Sequence, residues 1–291
     1  MHPERNALGG RTALRRAPHA AGFTLVELIV VIMIIGILGA TVAVFIANPV
    51  AAYFQSINRA ALTDAADLVV RRMTRELQGA VPNSARVASS NGSYFLEFVP
   101  VQAFGRYRAA ASNSDPTQND PLDFSNVNDN SFQILGPTIN VPAGAKLAIM
   151  NMGFGNLNLY GGNNVRTVTS IGSGLSSLQF TAGSAWPASS PTHRFYVFTT
   201  AVSYVCTPNA NGSGTITRYY GYTPQASQPT SVGAAPLSGA SQSLVLNDLS
   251  ACAFTPGTSQ VDLNAIQVNL QLTRSGEAVT LYSQVETPNG P

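Results

Sequence analysis

Charged side chains are scarce: sixteen basic and fourteen acidic residues, 10% of a 291-residue chain. Cysteine is scarcer, with only Cys206 and Cys252, and the histidines are His2, His19 and His193. So few thiols and imidazoles leave no zinc-ligand cluster, which needs about four N or S donors at close spacing. No Walker A loop and no dinucleotide-binding glycine turn is present, which excludes the two common phosphate-cradling motifs. Nor is there a G-x-S-x-G elbow to expose a serine nucleophile. His193, beside Arg194, therefore reads as a surface or core histidine and not as a catalytic base. The chain is expected to be no enzyme and to need no cofactor. Gly, Ser, Thr and Asn are abundant instead, which suits an extracytoplasmic, β-rich domain with long loops.

One stretch breaks with this polar composition. Residues 22–47 read GFTLVELIVVIMIIGILGATVAVFIA, and the twenty residues 28–47 carry no formal charge. A helix rising about 1.5 Å per residue covers a hydrocarbon core of about 30 Å in that length. Ahead of it lie Arg5, Arg11, Arg15 and Arg16, and the next basic residue beyond it is Arg59. This asymmetry places the N-terminal end in the cytoplasm and the C-terminal bulk across the membrane. A secretory signal peptide is the ordinary reading of such a start. Two features depart from it. Glu27 is a lone carboxylate inside the apolar run. The junction of Gly22 and Phe23 lies where that run begins, whereas signal peptidase cuts after its end, at a small-x-small site.

The residues GFTLVELIVVIMIIG resemble the processing and methylation signature of type IV prepilins and type II secretion pseudopilins. The resemblance implies cleavage between Gly22 and Phe23 by a prepilin peptidase and methylation of the new Phe23 amine. It also implies that the helix is kept, first as an anchor and then as filament core, with Glu27 as the acidic residue of assembly. A carboxylate at the bilayer centre costs about 2.5–3.5 kcal/mol on insertion scales, less near the interface. Once buried it needs a partner, and the resemblance implies the Phe23 amine of a neighbouring subunit. Farther on, ALTDAAD (61–67), RRM (71–73), REL (75–77) and AVPNS (80–84) are similar to minor-pilin-like proteins of the mannose-sensitive haemagglutinin (MSHA) pilus assembly system. A weaker likeness covers residues 94–100, 106–108 and parts of 284–289. Many major pilins carry a helix-melting proline where this chain has Val44, its nearest being Pro49. Tip pseudopilins of the K type often lack the acidic residue that Glu27 supplies, which favours a minor subunit of the I/J type.

Loss of residues 1–22 removes those four arginines and Glu4, leaving twelve basic and thirteen acidic side chains, a formal net of −1. The basicity reports topology, and no nucleic-acid partner is expected. In a periplasm-facing chain Cys206 and Cys252 most simply form one disulfide, closing a loop of about 45 residues and adding ~3–4 kcal/mol. Metal ligation or a catalytic thiol would need further ligands or a base.

The fold class expected is α+β, a long N-terminal helix packed on an antiparallel sheet domain. Its parts are a leader (1–22), a membrane or filament-core helix (23–47), an amphipathic helix (48–80) and a β-rich globular domain (81–291). At Asn48 and Pro49 the sequence leaves two readings open: Asn48 caps a second helix, or one helix runs through with a kink. Val50, Tyr53, Phe54 and Ile57, then Leu62, Ala66, Val69, Met73 and Leu77, follow three-four spacing and predict one stripe packed on a sheet. Asp67 and Arg71 form a favourable i,i+4 pair. Period-two segments predict strands at 94–99, 146–150, 178–180, 195–199, 203–206, 215–222 and 244–254. The clearest hairpin joins 265–273 to 278–285 across Arg274, Ser275, Gly276 and Glu277, with Ile266, Val268, Leu270 and Leu272 alternating on its first arm and Val279, Leu281, Ser283 and Val285 on the second. Residues 109–131 read as a polar loop.

Asp115, Asp120, Asp123 and Asp129 offer oxygen ligands for Ca²⁺, but their spacing matches no calcium loop, and solvated loop carboxylates are the commoner explanation. Tyr219, Tyr220 and Tyr222 read as a sugar- or partner-binding platform or as core aromatics. The partners implied are prepilin peptidase, other minor pilins or pseudopilins, the major pilin, the inner-membrane assembly platform and the lipid bilayer. The location implied is the inner membrane, with a periplasmic C-terminal domain, and then the pilus tip. The function implied is initiation of an MSHA-type pilus, the alternatives being a J-type pseudopilin or a tip adhesin.

Overall fold

A computed structural model describes residues 22–111, 120–257, 265–288 and 290. Helix α1, Leu25–Gln78, runs without interruption through Pro49. Of the two readings of Asn48 and Pro49, the continuous helix is therefore the one found. The chain divides into two compact units after Phe54.

In the first unit the described chain is helix from Leu25 onward, and every residue of it is exposed. Apolar side chains surround the helix, and the polar groups among residues 25–54 are Glu27, Thr41, Asn48 and the Tyr53 hydroxyl. A helix apolar on every side is one that a membrane or other chains surround. It is long and apolar enough to cross a membrane.

In the second unit the strands are β1 (Arg86–Ser90), β2 (Ser93–Phe98), β3 (Ala103–Tyr107), β4 (Ser131–Leu135) and β5 (Ile139–Val141). Next come β6 (Lys146–Ile149), β7 (Val165–Thr167), β8 (Gly172–Leu175), β9 (Ser177–Gln179) and β10 (Arg194–Phe198). The last five are β11 (Ala201–Thr207), β12 (Gly214–Tyr222), β13 (Ser241–Pro256), β14 (Ala265–Arg274) and β15 (Glu277–Glu286). They form a seven-stranded sheet, β1-β2-β11-β12-β13-β14-β15, a six-stranded sheet, β7-β6-β10-β3-β4-β9, and the pair β5-β8. Every pairing is antiparallel. The α+β class is the one observed.

The larger sheet buries the second half of the helical stripe. Leu62, Ala66, Val69, Val70, Met73 and Leu77 pack with Leu96, Phe98, Tyr204, Ile216, Val268 and Leu270 in one core. Each Leu, Val, Ile, Phe or Met side chain among them contributes roughly 1.5–3 kcal/mol relative to exposure. Val50, Tyr53, Phe54 and Ile57 do not join it; all four are exposed. The single packed stripe read from the sequence is thus two segments, because periodicity shows that a partner is apolar but not whose surface it is. The smaller sheet has its own core around Phe132, Leu147, Leu178 and Phe195. A third cluster, with Phe95, Val205 and Tyr222 from the larger sheet and Tyr196 and Phe198 from the smaller, lies between them.

The expected hairpin is β14–β15, in whose register Ile266 faces Val285, Val268 Ser283, Leu270 Leu281 and Leu272 Val279. Ser275 and Gly276 both take positive φ, 51° and 83°, as a two-residue turn matched to strand twist requires. The Cys206–Cys252 disulfide joins β11 to β13, which flank β12 in the sheet order. Both cysteines lie in the core under α1. Near this bridge Gly214 is the one residue the backbone tolerates, since a Cβ there would meet the Leu249 and Thr207 carbonyl oxygens and the Asn209 amide.

Candidate functional site

The junction predicted for cleavage lies outside regular secondary structure. Gly22, Phe23 and Thr24 precede the helix, all exposed, with Phe23 at 77%. Thr24 ends this segment by capping α1: its hydroxyl oxygen accepts the Glu27 amide at 3.2 Å, and its carbonyl accepts the Leu28 amide at 3.1 Å. An N-cap stops the helix from running backward, so the bond between Gly22 and Phe23 stays outside regular structure, where a peptidase can reach it. The sequence reading missed this role for Thr24. Its signal is the T-x-x-E spacing of Thr24 and Glu27, the start of a capping box.

Glu27 sits in the first turn, where a carboxylate complements the positive end of the helix dipole. Among the described residues it has no ion-pair partner. From Phe23 to Ile57 the helix shows solvent a long series of exposed large apolar side chains. A soluble monomer does not leave so much apolar surface uncovered.

In the second unit, salt bridges hold the helix to the larger sheet. Glu76 accepts from Arg218 of β12 at 2.8 Å and from Arg72 at 3.1 Å. Arg59 reaches Glu277 of the terminal hairpin at 2.7 Å. Asp67 and Arg71 do pair, at 2.6 Å, but both are exposed, so the pair adds only tenths of a kcal/mol. The phenol of Tyr204 is buried beside Glu76 and Arg72 of this cluster. Burial first, then the Glu76 charge, pushes it well above the ordinary tyrosine range.

A second polar cluster pins the 223–236 connection. Glu97 of β2 is fully buried and pairs with Arg86 of β1 at 2.6 Å. Its other oxygen accepts the Tyr222 hydroxyl at 3.0 Å. Arg86 donates onward to the carbonyls of Gln225 (2.7 Å) and Ala226 (2.9 Å) and stacks 3.4 Å above the Tyr160 ring. Burial pushes the Glu97 carboxyl up, against the pull of Arg86. Burial and the Glu97 charge push Tyr160 and Tyr222 far up as well.

These raised phenols set an alkaline limit. A group whose folded pKa is raised contributes stability that is complete below its unfolded value, near 10 for tyrosine, and is lost as pH climbs past it. Stability is expected to fall above pH ~10 by up to about 1.4 kcal/mol per pH unit for each of Tyr160, Tyr204 and Tyr222. Absorbance at 295 nm followed beside circular dichroism should show these phenols ionising only as structure is lost. Smooth titration of all ten tyrosines in an intact fold would contradict this.

The remaining candidates are not brought together. Asp123 accepts from the Ser125 amide (2.9 Å) and hydroxyl (2.6 Å), and Asp129 accepts the Asp123 amide at 2.6 Å. These carboxylates satisfy their own loop, with Asp123 lowered by the Ser125 bonds. Asp120 lies at the loop's start, its carbonyl accepting the Gln133 amide, and Asp115 lies outside the described residues. No group of three or more His, Cys, Asp or Glu suited to a metal occurs among the described residues. His193 takes positive φ, 57°, at the entry to β10, with its ring 5.5 Å from that of Tyr107. Tyr220 is exposed under Arg218, while Tyr222 is buried, so the tyrosines of β12 divide between faces and form no common platform.

No curated protein and no solved structure gives a significant match to the chain. The family described as the prokaryotic N-terminal methylation motif matches residues 18–43, the stretch that holds the Gly22 and Phe23 junction, the Thr24 cap and Glu27. Such a motif implies processing by a prepilin peptidase and partners in pilus assembly. The chain carries the type IV pilin-like N-terminal methylation signal.

Proposed function

We propose that the protein is a minor pilin-like subunit that initiates assembly of a type IV pilus of the MSHA type. Prepilin peptidase cuts after Gly22 and methylates Phe23. The apolar helix holds the product in the inner membrane, with the β domain in the periplasm, until it enters the pilus tip with other minor subunits. The observation that carries this reading is the apolar surface from Phe23 to Ile57, uncovered in the monomer and headed by the unpaired Glu27. A membrane covers it first, and neighbouring subunits' helices afterwards. In that second setting Glu27 loses water and needs a cation, which the Phe23 amine of a neighbour supplies.

The MSHA assignment, and within it likeness to the protein MshO, rests on residues 61–84, the C-terminal part of α1 and the chain just after it. A J-type pseudopilin of type II secretion shares every other feature. A tip adhesin is the remaining alternative. The test is Glu27→Ala, which removes the carboxylate and keeps the cleavage junction. The mature chain should appear at its normal mass, while co-purification of partner subunits and pilus number fall several-fold. Normal piliation with partners still attached would overturn the assembly role.

A further inference from the structure

An open cleft of about 730 Å³ lies at the C-terminal end of α1, within the second unit. Ala80, Pro82, Val101, Phe104 and Pro288 give it largely apolar walls, with Arg194 and Tyr196 on one side. Pro288 and Gly290 form part of the rim: the Asn83 amide donates to the Pro288 carbonyl at 3.0 Å, and the Tyr196 hydroxyl to the Gly290 carbonyl at 2.8 Å. Phe104 stands 70% exposed, directly opposite Tyr196 in the β3–β10 register.

In the same register Arg194 faces Arg106. Like charges directly opposite on an antiparallel pair repel. Arg106 donates its Nε to the Thr192 carbonyl at 3.0 Å, but among the described residues neither arginine forms an ion pair. The described ion pairs engage six other arginines. An apolar cleft beside two guanidiniums that form no ion pair among the described residues complements a ligand that joins an apolar group to a carboxylate.

We infer that this cleft binds an acidic, aromatic-bearing peptide segment of a partner protein. The aromatic side chain enters against Phe104, Val101 and Pro288. The carboxylate is held by Arg194, with Arg106 beside it, and Gln78 and Gln102 offer amides to the peptide backbone. Two cations do not make a track along which a nucleic-acid backbone would run. The inference does not depend on the filament reading, because no residue of the first unit takes part.

The test uses the full chain in detergent micelles and the peptide Gly-Asp-Phe-Leu-Gly-amide carrying fluorescein on its N-terminal amine, read by anisotropy. Saturable binding is expected, about tenfold weaker for the peptide with Asn in place of Asp, as loss of a charge-assisted hydrogen bond predicts. Arg194→Gln should weaken binding of the Asp peptide by about the same factor, and Phe104→Ala should also weaken it. Arg71→Gln, an equal charge change away from the cleft, should leave it unaltered. Circular dichroism confirms that each variant is folded. No binding up to millimolar peptide, equal binding of the Asn peptide, an equal loss with Arg71→Gln, or binding of a single-stranded oligonucleotide in place of the peptide would each overturn the inference.

Discussion

Arg86→Gln is expected to destabilise the second unit by about 3–5 kcal/mol, the cost of leaving a buried charge without its partner. Glu97 has no water to turn to, since its exposure is 0%, and Tyr222 is its only other hydrogen-bond donor among the described residues. The same substitution removes two bonds to the 225–226 carbonyls and the stacking on Tyr160. Denaturant unfolding of the full chain in detergent measures the loss, which corresponds to a drop in Tm on the order of 10 °C.

The loss should also depend on pH. Burial already raises the Glu97 carboxyl, and removing Arg86 raises it further. With the folded pKa above the unfolded one, the folded state holds the proton more tightly, so stability falls as pH rises from the unfolded value through the raised one. The variant's deficit should therefore be smaller at pH 5 than at pH 8. Arg86→Met combined with Glu97→Leu removes both charges and should recover part of the stability, as replacing both members of a buried pair often does. A deficit under 1 kcal/mol, flat with pH, would show that the pair is not what holds this region.

The second large effect concerns the disulfide. Replacing Cys206 and Cys252 by serine is expected to cost ~3–4 kcal/mol in the loop-entropy model, for cysteines 46 residues apart. The pair ties β11 to β13 beneath the helix, so serine hydroxyls there would also be buried in an apolar core. Thermal unfolding with and without reductant separates the two contributions. Reductant should lower Tm of the unsubstituted chain on the order of 10 °C and leave the serine variant unchanged. An unchanged Tm on reduction of the unsubstituted chain would contradict this account.

Local signals made much of this architecture legible. The apolar run and its Glu27 are visible because bilayer length and charge placement are properties of consecutive residues. The β14–β15 hairpin is visible because alternation on both arms and a Ser275–Gly276 turn agree. Short strands such as β1, RVASS, and β3, AFGRY, escaped because they carry little alternation and are held by neighbours in the sheet. The charge clusters escaped for a related reason. Glu76 meets Arg218 across 142 positions, and Arg106 meets Arg194 only through the pairing of β3 with β10. Residues 50–57 show the opposite failure, a clear stripe whose partner is not in the chain's own sheet. The Thr24 cap was legible, in the T-x-x-E spacing, but masked by the stronger signal that overlaps it.

The central claim is that residues 22–27 form a processing junction on a helix that is kept. Intact-mass and N-terminal analysis of the chain recovered from cells, with and without active prepilin peptidase, tests it most directly. The account predicts a product that begins with N-methylated Phe23 when the peptidase is active and a chain that still begins ahead of Gly22 when it is not. A product beginning beyond Ala47, or the same N-terminus in both cells, would contradict it.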